Sequence, residues 1–361
     1  MCGGAIASGI LANPRSVLTV AAQLQTREQS AQKVIIDTDP GVDDAFALFL
    51  ALRSRELNVL AVTAVAGKVP LSVTLPNALK LVKISGRADI PVTAGASSPL
   101  IRKLIDAAYA HGNNGLAGVD FPPARLRPVK EVASHLICRL VRENAGNIDI
   151  LGIGPLTNIA LALRQDPEIV SMVPSIVLMG GSLSGGNVTP AAEFNFYVDP
   201  EAASIVFDSG IPIRMEGLDV TRKVQLTEEH VGALRAGAGA ISHAATRIAE
   251  GVIKIARNQN RAGGPHLHDP LAVSALISTD VPSFEDYHVD IKTSGSFTAG
   301  ESVGWKHPPL RHSSPLRAAD EPENIATHLF KVNAKVATGV DSGKFLGMRI
   351  SRLTAQVPSA A

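Results

Sequence analysis

The feature that most constrains this chain is an alternation. Short apolar, β-branched runs recur along it, and between them lie longer stretches whose apolar residues repeat at helical spacing. Val34 to Ile36, Val59 to Val65, Pro91 to Thr93, Ile148 to Ile153, Ser175 to Met179 and Ile211 to Met215 are predicted strands. The predicted helices between them are Asp44 to Leu52, Leu71 to Ile84, Val129 to Glu143, Pro155 to Leu163 and Pro200 to Phe207. In the second of these, Leu71, Leu75, Leu79 and Val82 share one face. Such alternation implies an α/β fold, a mainly parallel β-sheet flanked by helices on both faces. Further on, the pattern predicts a helix over Thr227 to Asn258 and another over Pro270 to Ile277, with Asp269 at its N-cap. A strand over Tyr287 to Ile291, a loop over 295–328, a last strand over Val332 to Ala337 and a helix over Ser342 to Leu353 complete the reading. No linker interrupts residues 33–353, which read as a single large domain between an N-terminal extension (1–32) and a C-terminal tail (354–361).

Composition narrows the function. With 45% hydrophobic and 19% charged residues, 361 residues can bury a sizeable core, which excludes a disordered chain. Lys and Arg number 34 against 33 acidic residues, so no strong field gathers nucleic acid or anionic lipid. One Trp, three Tyr and ten Phe are too few for a stacking platform for single strands. Cys2 and Cys138 build neither a disulfide framework nor a cysteine zinc site. No apolar run reaches the roughly 20 residues of a membrane span. Residues 2–12 are small and apolar, but Met1 to Ala12 carries no positive charge. The expected location is therefore cytoplasmic, or periplasmic or secreted if residues 1–32 act as a signal.

The chemistry is concentrated after the first predicted strand. Asp37-Thr38-Asp39-Pro40-Gly41-Val42-Asp43-Asp44 packs four carboxylates into eight residues at a strand end. Like charges so close raise one another's pKa unless a cation joins them, and oxygen-only ligands favour a hard ion such as Ca²⁺ or Mg²⁺. Pro40-Gly41 supplies the tight turn. Helix-dipole compensation would account for one or two of these acids, not four. His268-Asp269-Pro270 offers a further carboxylate at a helix start, where plain capping is the blander reading. Asn187, Glu193 and Asn195 form a polar trio that could bind hydroxyls or be a solvated turn.

Taken together, the segments DTDPGVDD (37–44), HGNNGLAG (111–118), GPLTNIA (154–160), VLMGG (177–181), EFN (193–195), DPEAA (199–203), GLDVT (217–221) and HDP (268–270) resemble the nucleoside hydrolases, the calcium-dependent inosine–uridine preferring N-ribohydrolases. The resemblance implies a single α/β domain, usually in a homodimer or homotetramer, acting on a small-molecule ribonucleoside. It implies that Asp39, Asp44 and Asp269 ligate Ca²⁺ together with the main-chain carbonyl of Ile153. Asp43 and Asp269, helped by Asn187, would hold the ribose 2′- and 3′-hydroxyls, and Glu193 and Asn195 the 5′ end. Asp37 would support these groups, His268 would assist the leaving base and His111 would lie over it. The implied chemistry passes through an oxocarbenium-like ribosyl cation, attacked by a calcium-bound water whose proton Asp39 takes.

The sequence departs from that pattern at Gly67-Lys68, where the family usually reads Gly-Asn. An ammonium beside the cluster would pair with a carboxylate and compete with the metal; otherwise Lys68 points to solvent. Residues 257–267 also lack the tyrosine often found before the HDP motif. Two alternatives follow. One is a homologue that binds nucleoside or ribose but has lost catalysis through Lys68. The other is a phosphatase of the haloacid-dehalogenase type, suggested by Asp37-x-Asp39 after an apolar strand; Gly41 stands against it, where that class wants Thr or Val.

Overall fold

The computed structural model describes residues 31–260, 264–306 and 331–355. The alternation resolves into a nine-stranded sheet. Its strands are β1 (Gln32–Thr38), β2 (Leu57–Ala64), β3 (Val92–Ala94), β4 (Asp149–Gly152), β5 (Ile176–Met179), β6 (Ile213–Glu216), β7 (Pro282–Ile291), β8 (Ser302–Trp305) and β9 (Ala334–Val340). Their order is β3-β2-β1-β4-β5-β6-β9-β7-β8. The seven strands from β3 to β9 pair in parallel, and β7 and β8 add an antiparallel edge.

Helices cover both faces because the strands alternate. Val34 and Ile36 in β1 enter one apolar cluster with α1 (Val42–Arg53), α10 (Ala240–Asn258) and α11 (His268–Ile277). Ile35 enters the other, with α4 (Ala133–Glu143) and α5 (Thr157–Gln165). In β1 the residues from Val34 to Thr38 are fully buried, as a central parallel strand requires. The remaining helices are α2 (Leu71–Ile84), α3 (Ala108–His111), α6 (Phe194–Val198), α7 (Pro200–Phe207), α8 (Leu218–Thr221), α9 (Glu228–Ala236) and α12 (Ser342–Thr354).

Four sequence expectations need correction. The single helix over 227–258 is two, α9 and α10, because Gly239 takes φ +112°, which a helix cannot continue through. The helix expected from Val129 begins at Ala133, since Val129 bridges to Thr93 beside the sheet. The stretch expected as loop from 295 contains β8, which pairs with β7 across a Gly- and Ser-containing turn. Residues 307–328 of that stretch lie outside the described residues, as do 1–30 of the N-terminal extension and 356–361 of the C-terminal tail. Finally, Asp269 is not an N-cap: α11 starts at His268 after Leu267, and the Asp269 carboxylate turns to Lys68 instead. Among the described residues, no helix is long and apolar enough to cross a membrane.

Candidate functional site

The sheet grows outward in opposite directions from the β1–β4 boundary, and a parallel sheet opens a crevice at such a reversal, beyond its carboxyl ends. Three connections empty into it. The acidic segment follows β1, Gly67-Lys68 follows β2, and Ile153 follows β4. The first turn of α11 brings Asp269 and His268 from the other end of the chain.

These acids converge on the Lys68 side chain. Its Nζ lies 2.6 Å from Asp44 Oδ2, 2.8 Å from Asp269 Oδ2, 3.2 Å from Asp39 Oδ1 and 3.5 Å from Asp43 Oδ1. The Lys68 backbone N–H donates to Asp39 Oδ2 at 2.6 Å. Asp44 is fixed further by the Thr38 hydroxyl (2.7 Å) and the Gly41 N–H (2.9 Å). Lys68 is 5% exposed and Asp39, Asp44 and Asp269 are fully buried. Two glycines make this approach possible. A Cβ on Gly41 would stand 2.6 Å from Lys68 Cδ, and one on Gly67 would stand 2.1 Å from Asp39 Oδ2.

Charge follows from this packing. Burial alone would lower the Lys68 pKa, but the carboxylates of Asp269, Asp39, Asp43 and Asp44 hold it well above the ordinary lysine range, so the ammonium stays charged. Burial pushes Asp39 and Asp269 well above the ordinary carboxylate range; the nearby Asp44 (for Asp39) and Asp43 (for Asp269) add to this, and Lys68 only partly offsets it. Burial acts on Asp43 in the same sense, yet the charge of Lys68, the largest opposing influence, together with His111 outweighs it and holds Asp43 below the ordinary carboxylate range.

Above the cluster lies a cavity of about 340 Å³. Asp43, Asp269, Asn187, Glu193, Asn195, His111 and His268 line it, so the residues singled out from sequence for substrate are brought together. Neither Asp39 nor Asp44 lines it; Lys68 does, and contacts both. Asp43 Oδ1, Asp269 Oδ1 and Asn195 Oδ1 are buried and have no hydrogen-bond partner among the described residues. Asn195 is oriented by its amide, which donates to the carbonyls of Met179 (3.0 Å) and Ile153 (3.4 Å). Glu193 accepts from the N–H groups of Gly181 and Phe196, and burial raises its carboxyl to about 7. His268 pairs through Nδ1 with the Thr221 hydroxyl at 2.8 Å, and burial lowers it to about 4, which leaves a neutral imidazole. His111 Nδ1 accepts from the Val42 N–H at 3.1 Å. Asp37 stands behind the site, where it accepts from Asn158 (2.7 Å) and the Thr63 hydroxyl.

Sequence reasoning gave no role to several neighbours. His266 joins the cavity wall with its ring 5.5 Å from His268, and Val252, Ile255 and Ala256 of α10 supply an apolar side. Arg222 donates to the carbonyls of Gly185 and Gly186 and so steadies the loop leading to Asn187. His266 was signalled by its place two residues before His268. The α10 residues were not, because their pattern reads equally as core.

The donor set is all-oxygen, and carboxylate oxygens of Asp43, Asp44 and Asp269 lie within 4.8 Å of one another, a cluster that could hold a metal ion. The place for such an ion is the one the Lys68 ammonium takes. A divalent cation and the ammonium as positioned do not fit together.

The family model for the inosine-uridine preferring nucleoside hydrolases matches residues 34–347. The chain belongs to this family. It is 42% identical to the pyrimidine-specific ribonucleoside hydrolase RihA of Salmonella enteritidis, over 76% of this chain and 88% of that protein. Its fold is similar to that of a plant nucleoside hydrolase, PpNRh1, at a TM-score of 0.80 and 32% identity, covering 90% of this chain and 99% of the other. A purine-preferring ribonucleoside hydrolase from Gardnerella vaginalis superposes with a TM-score of 0.79 at 30% identity, over 90% and 98% of the two chains. Membership sets aside the phosphatase alternative, against which Gly41 already stood.

Proposed function

We propose that this protein hydrolyses the N-glycosidic bond of ribonucleosides, releasing ribose and free base. The observation that carries the reading is the set of buried oxygens on Asp43, Asn195 and Asp269 that accept no hydrogen bond from the described residues, gathered around one cavity. Buried acceptors without donors cost free energy, and the hydroxyls of a ribose are donors of the right kind and number to satisfy them. The named activities of the relatives support the same substrate class.

In this reading Asp43 and Asp269 hold the 2′- and 3′-hydroxyls with help from Asn187, while Glu193 and Asn195 hold the 5′ end. Binding the sugar through several fixed groups orients it and converts binding energy into ring distortion. The ionised Asp43 beside the ring stabilises positive charge as the bond to the base breaks. Asp39 is the base that the resemblance assigns to the attacking water; here its Oδ1 and Oδ2 both accept from Lys68 and it lies behind the cavity wall, so in that role it reaches the water only when Lys68 Nζ releases Oδ1. His268 and His111 flank the departing base, and a neutral His268 assists it by hydrogen bonding rather than as an imidazolium. The resemblance also implies Ca²⁺, but Lys68 fills its place, so no step here depends on a metal. A homodimer or homotetramer belongs to the same reading and is checked by light scattering.

The test is free-base release across a nucleoside panel, with chelator and with added Ca²⁺. Asp39→Asn is expected to cut turnover by about 10²–10⁴-fold or more with an unchanged circular dichroism spectrum. Full activity in that variant would remove Asp39 as the base. Lys68 favours a second reading, a ribose-binding homologue without turnover; it predicts saturable nucleoside binding and no base release.

A further inference from the structure

We propose that the Lys68 ammonium is the permanent cation of this site, standing in for the divalent metal, and that the folded chain takes up no calcium there. The geometry is that of a filled site. An ammonium has three N–H donors, and three carboxylate oxygens lie within hydrogen-bond distance, on Asp44, Asp269 and Asp39 at 2.6, 2.8 and 3.2 Å. Asp43, at 3.5 Å, completes the shell by charge alone. All four acids come from the two segments, 37–44 and 268–270, whose carboxylates would otherwise converge on a metal. A lysine reaching for solvent would not bury itself to 5% exposure.

The surroundings are shaped to the lysine stem as well as to its charge. The missing Cβ of Gly41 leaves the space that Lys68 Cδ fills, 2.6 Å from where a methyl would stand. The Lys68 N–H anchors Asp39, and the Lys68 carbonyl accepts from Ala107, so the backbone that carries the side chain is itself fixed. For a metal to enter, three charge-assisted hydrogen bonds must break and a buried ammonium must be re-housed.

This inference concerns the cation alone and stands whether or not nucleosides are hydrolysed. Its consequence for turnover, that base release is indifferent to chelators, rests on the hydrolase reading above.

The decisive measurement is a calorimetric Ca²⁺ titration of the chelator-stripped full chain, wild type and Lys68→Asn, with no nucleoside present. The wild type is expected to give no saturable heat at millimolar Ca²⁺. Lys68→Asn is expected to bind one Ca²⁺ per chain, at least about tenfold more tightly than any wild-type binding. Stoichiometric Ca²⁺ binding by the wild type would overturn the proposal, and so would a folded Lys68→Asn that remains silent. Should Lys68→Asn fail to fold, Lys68→Gln replaces it, and the ¹⁵N signal of the wild-type Lys68 ammonium decides. A slowly exchanging resonance unmoved by Ca²⁺ supports a resident ammonium, whereas one that shifts on titration overturns it. Absence of base release from every nucleoside would defeat the hydrolase reading and leave these outcomes untouched.

Discussion

At the scale of single residues, the site depends on charges kept out of water, and Glu216 shows the same physics away from the ligand cavity. It ends β6 fully buried, with both carboxyl oxygens lacking a hydrogen-bond partner among the described residues. Burial raises it from its ordinary 4.5 to about 8, and the nearby Arg214 only partly offsets that. Between those values the folded chain keeps a proton on Glu216 that the unfolded chain has released. Raising the pH through that window therefore favours unfolding, by up to about 1.4 kcal/mol per pH unit from this group. Glu216→Gln, which cannot ionise, is expected to be more stable than wild type at pH 8 and nearly equal at pH 4.5. Urea denaturation at several pH values reads the difference; parallel wild-type and variant profiles would show that Glu216 does not titrate in this way. The same contrast explains what could be read from sequence at this scale. Four acids in eight residues announce a cation, and Lys68 was visible as a departure at the right place. Which cation occupies the centre was not legible, because it depends on where a flexible four-carbon stem comes to rest.

At the scale of elements, the parallel strands and most helices were legible because buried strands leave continuous apolar runs and amphipathic helices leave a 3.6-residue period. Failures came where a single backbone conformation overrode the pattern. The apolar period continues through 227–258, yet the chain breaks between α9 and α10 at Gly237–Gly239. Gly239 has φ +112° and ψ 166°, a region open essentially to glycine. A Cβ there would meet nothing within 4 Å, so any cost of substitution lies in the backbone itself. Gly239→Ala is expected to lose about 1–3 kcal/mol in chemical denaturation, with the free-base assay unaffected at temperatures where the fold holds. A neutral result would mean that the α9–α10 junction relaxes without strain. The misread start of α11 has a different origin. Asp before Pro at a helix start reads as a cap, but here the carboxylate is drawn inward to Lys68, and only the folded arrangement supplies that partner.

At the scale of the whole molecule, the site exists because the sheet reverses its order between β1 and β4, which brings residues from positions 39 to 269 into one crevice. No segment supplies these buried acceptors by itself: Asp43 lies in the first turn of α1, Asn195 in α6 and Asp269 in α11. A ligand that satisfies all three must therefore bind the folded chain and not the unfolded one, and its binding energy adds to global stability. In the Asp39→Asn background, where turnover is expected to be strongly cut, a ribonucleoside at 100 times its Kd is expected to raise unfolding stability by about 2.7 kcal/mol. If the cation is Lys68, the same rise appears with chelator present as without it. A rise that vanishes on chelation would mean that a metal holds the crevice together. No rise at all under saturating nucleoside would mean that the buried oxygens of Asp43, Asn195 and Asp269 are not a ribose site.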